Sequence, residues 1–378
     1  MRYSTFLLLT FFLSVSCSKS NDDISPGESD GIINNPEYGI WQDREEPPVK
    51  FELIDRFEFE ENNDLIISNV GSFTMDDAGN MYFLERNLNK LISLDTKGDI
   101  RWTTGQKGRG PGDFENAYSM VTDGRYLYVG NLQGARLDAF DFDGNFISSI
   151  SMNKDISFGS VLGFTSEGKL IYTSPLFGRI GTKISVLSIG EDSTSVINSF
   201  DLDQANEPEI MNGFNSSSSL AIHDDKIVSG HIGSYEIKAF DLEGNLTKTI
   251  TRDFDNLVYP GFAVNGGSRS MRMFGSLKSP YFLKNGYFMA LSNWPANISD
   301  PDAYMKKSTA GSAPEIEMLH SLDIFDSEGK LLYSFLGDGY SPELGSPTHV
   351  DQNGFIYFID YSDNVAINKY KLVLPTDE

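Results

Sequence analysis

Apolar and polar residues alternate along most of this chain in short runs, and glycine-bearing polar turns separate the runs. A period of two is what a half-buried β-strand requires, whereas a surface helix needs apolar positions three and four apart. No segment sustains the helical period with caps, so helix should be scarce. One phrase keeps returning, an alternating strand followed by Asp-x-Gly-Asn and a second alternating strand. Its clearest copies turn at Asp77-Ala78-Gly79-Asn80 and at Asp123-Gly124-Arg125. Weaker copies turn at Ser166-Glu167-Gly168-Lys169, Asp224-Asp225-Lys226, Lys284-Asn285-Gly286 and Asp351-Gln352-Asn353-Gly354. A second hairpin follows in most units, at Thr96-Lys97-Gly98-Asp99, Phe142-Asp143-Gly144-Asn145, Leu242-Glu243-Gly244-Asn245 and Ser327-Glu328-Gly329-Lys330, with Gly190-Glu191-Asp192-Ser193 a less clear copy in the third. Gly beside Asn or Asp supplies the positive-φ positions of a tight hairpin, so the pattern carries its own mechanism.

Four short strands recurring at roughly 45 residues is the period of a propeller blade. The pattern therefore predicts an all-β chain, a six-bladed β-propeller of four-stranded antiparallel blades spanning residues 49–378. The sixth unit, with strands at 348–351, 355–360 and 365–374, ends one strand short. Residues 51–60 supply the missing strand, because Phe51, Leu53, Phe57 and Phe59 alternate there with Glu52, Ile54, Arg56 and Glu58. The N-terminal strand should close the last blade.

Residues 1–16 read as a signal peptide. Arg2 gives a positive start, residues 6–15 form an apolar core too short to span a bilayer, and Ser14-Val15-Ser16 are small enough to precede a cut. The cut leaves Cys17 first. It is the single cysteine, so no disulfide can form within the chain. Residues 17–48 are rich in Ser, Asp, Asn, Gly, Glu and Pro and read as a flexible tether.

The formal charge of -24 argues against a nucleic-acid partner, because phosphate binding needs a basic face. No Gly-x-Ser-x-Gly elbow, Walker loop or Rossmann glycine run is present, and the glycine-rich stretch 105–112 leads into a strand rather than a helix. No cofactor is therefore expected. His223, His231, His320 and His349 lack the spacing of a zinc motif, though ligands in a propeller can converge from distant blades. Asp138, Asp141 and Asp143-Gly144-Asn145 approach a calcium loop, but its register would put the first Asp at Ala139. Asp77-Ala78-Gly79-Asn80 echoes a sialidase Asp-box with Met75 where Ser is required.

Gly108-Arg109-Gly110-Pro111-Gly112-Asp113-Phe114 resembles the inter-blade loop of NHL-type repeats. The apolar run ending before Cys17 resembles a bacterial lipobox, with Ser14 where Leu is more usual, and Ser18-Lys19-Ser20-Asn21-Asp22-Asp23 resembles the signal that carries some lipoproteins to the cell surface. With the Asp-x-Gly-Asn-x-Tyr turns, the chain is similar to the bacterial six-bladed propeller lipoproteins of TolB-like or NHL-like type. The resemblance implies acylation at Cys17, outer-membrane anchoring through lipid alone, and a periplasmic or surface-exposed binding domain. Other six-bladed propellers, the gluconolactonase and amidating-lyase groups, are hydrolases or lyases with a metal in the channel, which is the alternative reading.

Turns between first and second strands and between third and fourth strands are short, so one face is plain. The long connections, 105–117, 175–182, 201–218, 252–279, 294–319 and 337–347, all emerge on the other face. Loops carry recognition at little thermodynamic cost. Arg109, Arg179, Arg252, Arg269 and Arg272 fall in these connections and Arg86 in a shorter one on the same face, with Trp294, Tyr235, Tyr259, Tyr304, Tyr340 and Tyr361 as aromatic surface. Arginine with aromatics suits a partner protein or an anionic or glycan-like ligand. The expected contacts are Arg109, Arg269 and Arg272 with Trp294 beside them.

Overall fold

The computed structural model describes residues 31–44, 49–59, 65–131, 135–154, 156, 159–176, 181–203, 219–231, 233–265, 268–278, 280–336, 345–362 and 364–375. Six four-stranded antiparallel blades form a β-propeller, accompanied among the described residues by one short helix and one extra hairpin. Blade one holds Val70–Met75, Met81–Glu85, Lys90–Leu94 and Ile100–Thr104, and blade two holds Ala117–Thr122, Leu127–Asn131, Arg136–Phe140 and Phe146–Ser151. Blade three follows with Ser160–Phe164, Leu170–Pro175, Gly181–Ile189 and Thr194–Asp203, and blade four with Ser219–His223, Lys226–Gly230, Glu236–Phe240 and Leu246–Arg252. In blade five the first strand is split into Ser276–Leu277 and Tyr281–Phe282, both pairing with Phe288–Pro295, before Met318–Phe325 and Leu331–Leu336.

Blade six consists of Ser346–Val350, Phe355–Asp360 and Ala366–Val373, and Lys50–Glu58 completes it as the closing strand. Phe51 stands opposite Leu372 and Phe57 opposite Ile367. A bulge between Leu53 and Asp55 breaks the alternation, as bulges do when two residues oppose one. Leu53, expected inside, is consequently exposed together with Ile54, while Phe57 remains buried.

The core is divided among the blade junctions. Each adjacent pair of blades shares one apolar cluster, for example Tyr82, Leu84 and Leu91 with Phe114, Met120 and Leu127 between blades one and two. A blade covered on both faces has middle strands without a polar side. Met81–Glu85 and Leu127–Asn131 are buried at every position, whereas outer strands such as Ile100–Thr104 are mostly exposed.

The expected tether 17–48 is corrected between Gly31 and Arg44. Ile32–Asn35 adds a fifth, parallel strand to blade four, with Ile33 opposite Ile250. The Asn35 side chain then donates to Gly329 O at 3.0 Å and accepts from Leu331 N at 2.7 Å. Farther on, Trp41 N donates to Leu332 O at 2.9 Å, and the Gln42 amide exchanges two 3.0 Å bonds with the Ser334 backbone. This strap satisfies the outer edges of blades four and five, which would otherwise present unpaired backbone groups.

Candidate functional site

The recurrent turn aspartates are consumed by their own turns. Asp76 accepts from Asn80 N, from Asn80 Nδ2 and, at 2.7 Å, from the Tyr82 hydroxyl. Tyr128 and Tyr357 reach Asp123 and Asp351 in the same way. In the second hairpins, the Asn145 amides hold Asp141 and the Asn245 amides hold Asp241. The Asn245 side-chain bond, joined by backbone amides, keeps the Asp241 carboxyl below its ordinary pKa. The Asp-x-Gly-Asn-x-Tyr phrase is thus a folding device, and Asp141 is committed to its turn rather than to a calcium loop.

The four histidines have different neighbours. His223 stacks on Phe282 with ring centroids 3.8 Å apart and planes 2° from parallel. His231 Nδ1 meets Ser234 Oγ at 2.8 Å. His320 belongs to the third strand of blade five, opposite Asn293, and burial lowers its pKa. His349 packs beside Phe73 and Tyr357, where burial pushes its pKa down to about 4 against a smaller opposing effect of Asp351. Among the described residues, no group of three or more His, Cys, Asp or Glu side chains is placed to hold a metal ion.

The long connections build structure of their own. Hairpin Gly261–Asn265 with Ser268–Arg272 packs against the helix Pro301–Thr309, which Asp300 caps by accepting from Ala303 N. Ala263, Phe274, Ile298, Tyr304 and Met305 form a separate small core beneath them. Arg272 lies over the Phe274 and Tyr304 rings, 5.9 Å from each centroid. The loop Gly108–Phe114 is held from below, because Arg136 Nη2 donates to Gly110 O at 3.0 Å and to Asp113 O at 2.8 Å.

Arg109 and Arg272 have separate neighbours. Arg109 is exposed and donates from Nε to both Glu115 carboxylate oxygens at 2.9 Å. Arg272 is engaged by its own aromatic neighbours on a different insertion. Trp294 is corrected from ligand contact to core residue: it is buried and meets Phe254 edge-on at 4.9 Å. Arg269 lies on the Ser268–Arg272 strand, with its side chain outside the described residues. Arg179 and Tyr340 also lie outside them, as does Cys17. Arg252 is wholly buried on Asp323, and Tyr235 and Tyr304 are buried as well, which leaves Tyr259 and Tyr361 as exposed aromatics.

Described residues line two cavities that open among the turns of the plain face. One, of about 160 Å3, lies between the first turns of blades six and one, beside Asp76, Asp77, His349 and Asp351. The other, of about 230 Å3, lies between blades four and five beneath the His223–Phe282 stack. Nothing in the sequence pattern marks either one directly, since each is a space between blades rather than a motif.

No known sequence family and no curated protein matches the chain. Among solved structures it is similar to a member of the DUF4221 family from Bacteroides vulgatus, at 10% identity and a TM-score of 0.54, covering 86% of this chain and 98% of that one. It is similar also to a protein from Bacteroides fragilis described as exported, at 10% identity and a TM-score of 0.56, covering 90% and 99%. A streptogramin B lyase aligns at 12% identity and a TM-score of 0.42, covering 86% and 98%, too slight a likeness to carry an argument. No helix among the described residues is long and apolar enough to cross a membrane. The likeness to the two Bacteroides proteins extends over nearly their whole length, and what it establishes is the shared propeller.

Proposed function

We propose that the chain is an exported lipoprotein, acylated at Cys17, whose propeller binds a partner protein through the long-loop face without catalysing a reaction. The observation that carries this reading is the small second core on blade five. Hairpin and helix bury Phe274, Tyr304 and Met305 together, yet leave Tyr259, Val264 and Met273 exposed on the same insertions, Val264 at 72%. A rigid platform presenting aliphatic and aromatic groups, with Arg272 beside them, has the composition of an interface centre. Export is supported by residues 1–16 and by the kind of protein the chain resembles in fold. Two acyl chains on Cys17 would give durable anchoring where one would not.

A photo-crosslinker at Val264, in cells, should trap one discrete protein species, and Tyr259→Asp with Met273→Asp should abolish that adduct without lowering the melting temperature. Trapping no discrete species, or an adduct indifferent to both changes, would overturn the binding surface. Cys17→Ala should move the protein out of the membrane fraction, and palmitate labelling that persists in this variant would overturn the anchor. A stoichiometric divalent ion bound by the purified protein would favour the hydrolase or lyase reading instead.

A further inference from the structure

The cavity between blades four and five lies where the junction of blades one and two carries an aromatic plug. At the junction of blades one and two, strand register aligns Tyr82, Ser93 and Trp102 in one row. Tyr82 packs on Trp102 and on Phe142 of the next blade's turn, at 5.8 and 5.4 Å between centroids, and Trp102 Nε1 donates to Phe142 O at 3.1 Å. The same register in blade four aligns Val228, Ala239 and Lys248, and the turn position of Phe142 is occupied in blade five by Ser327. Valine, lysine and serine thus stand where tyrosine, tryptophan and phenylalanine stand three blades away. All three line the cavity. At the junction after blade three a polar contact spans the same place, Asn198 Nδ2 donating to Leu242 O at 2.8 Å. Lys248 makes no such bond among the described residues.

The remaining walls are apolar and aromatic. Ile237, Ile250, Pro280, Phe282 and Phe288 surround the space, and the parallel His223–Phe282 pair forms a flat side. Lys226 and Lys248 border the opening, and among the described residues neither has a carboxylate within ion-pair distance, in a chain of formal charge -24. Burial, foremost, lowers the Lys248 pKa; Asp326 and Glu328 act in the opposite sense, and Lys226 adds to the lowering. Asp224, with an exposed carboxylate, pairs with His223 at 3.5 Å at the rim. An engineered cavity of about 150 Å3 with apolar walls holds benzene, so this one has room for a ring and a small substituent.

We propose that this cleft is a binding site for a small aromatic carboxylate, its ring in the place of the missing plug and its charge on Lys248 and Lys226. The site lies on the plain face and does not depend on the long-loop reading.

The test is calorimetric titration of the purified full chain with indole-3-acetate and with its neutral analogue 3-methylindole. Indole-3-acetate should bind with one-to-one stoichiometry, more tightly than the neutral analogue. Lys248→Met should weaken indole-3-acetate roughly tenfold or more, the scale of one charge-assisted bond, and leave 3-methylindole nearly unchanged. The triple variant Val228→Tyr, Lys248→Trp, Ser327→Phe, which rebuilds the plug of blades one and two, should bind neither compound and melt no lower than the parent. Failure of the full chain to bind indole-3-acetate at millimolar concentration, unchanged affinity in Lys248→Met, or binding that survives in the folded triple variant would each overturn the proposal. Should the triple variant not fold, the Lys248→Met comparison decides alone.

Discussion

Arg252 with Asp323, and Arg136 with Asp138, are two versions of one arrangement. In each, a buried aspartate anchors a guanidinium whose other nitrogens donate to backbone carbonyls that no strand ladder satisfies. Arg136 secures the carbonyls of Gly110 and Asp113 in the glycine-rich loop. Arg252 secures Glu37 O in the N-terminal strap through Nε and Nη2. The difference lies in assembly. Arg136 and Asp138 are two apart on one strand and so share a face. Arg252 ends the outer strand of blade four, while Asp323 belongs to the third strand of blade five, 71 positions later. The first pair forms with its strand, whereas the second needs two blades and the strap together. Arginines on the elaborated side thus owe their presence in part to loop fixation, and each pair's worth should follow its burial.

The deepest pair offers the largest effect. Both side chains of Arg252 and Asp323 are fully buried, and Asp323 also accepts from Tyr235 and Ser321. Burial, then the Asp323 charge, pushes the Tyr235 hydroxyl well above its ordinary pKa, so it stays a donor. Asp323→Leu leaves a guanidinium uncompensated in the interior and should cost about 3–5 kcal/mol in denaturant unfolding. The double variant Arg252→Met, Asp323→Leu should recover most of that loss, because a buried ion pair often only offsets its own desolvation. A double variant as unstable as the single one would show that the strap's bond to Arg252, not charge balance, sets the cost.

The in-strand pair should come second. Arg136 is 16% exposed and Asp138 is not exposed at all. Arg136→Met should cost about 1.5–3 kcal/mol, the worth of bonds made by a charged group. Its distinguishing sign is local. Limited proteolysis should cut within residues 108–114 in the variant and spare them in the parent. A loop that stays resistant would separate this pair from the strap pair and leave the arrangement without a common purpose.

Local turn chemistry made the blades legible in the sequence, since each Asp-x-Gly-Asn turn fixes its hairpin within a few residues. Closure by the N-terminal strand was legible too, through the alternation around Phe51 and Phe57. The strap was not, because Ile32–Asn35 pairs in parallel with a strand more than two hundred positions away and has no turn to announce it. Leu53 departs from the alternation because a bulge leaves no mark in composition. For Trp294, an aromatic in a long connection reads as surface until Phe254, forty positions earlier in the chain, is seen to cover it. The blade-four cleft could have been suspected by aligning Val228, Lys248 and Ser327 with Tyr82, Trp102 and Phe142, but only register makes that alignment secure.

Two shallower pairs extend the comparison downward. Arg56 on the closing strand donates to Asp360 Oδ2 at 2.7 Å and to Asn368 Oδ1 at 2.9 Å, with 31% of its side chain exposed. Burial pushes the Asp360 carboxyl up, yet the Arg56 and Ser362 bonds outweigh it and hold the pKa below the usual carboxylate range. A depressed folded pKa gives stability that is present above the unfolded value, roughly 3.9, and fades as pH falls below it. Arg56→Met should therefore cost about 1 kcal/mol at neutral pH, a surface-scale effect. Melting curves should show this gap between parent and variant narrowing below about pH 4, near the ordinary aspartate value. A gap that widens in acid would reverse the assignment. At the exposed end stands Arg109, with 82% of its side chain in solvent and Glu115 as its carboxylate partner among the described residues. Arg109→Ala should change stability by less than about 0.5 kcal/mol, and added salt should shrink even that. A loss comparable to that of Arg136→Met would mean that burial does not order these pairs, and that the glycine-rich loop depends on its outward arginine as much as on the one beneath it.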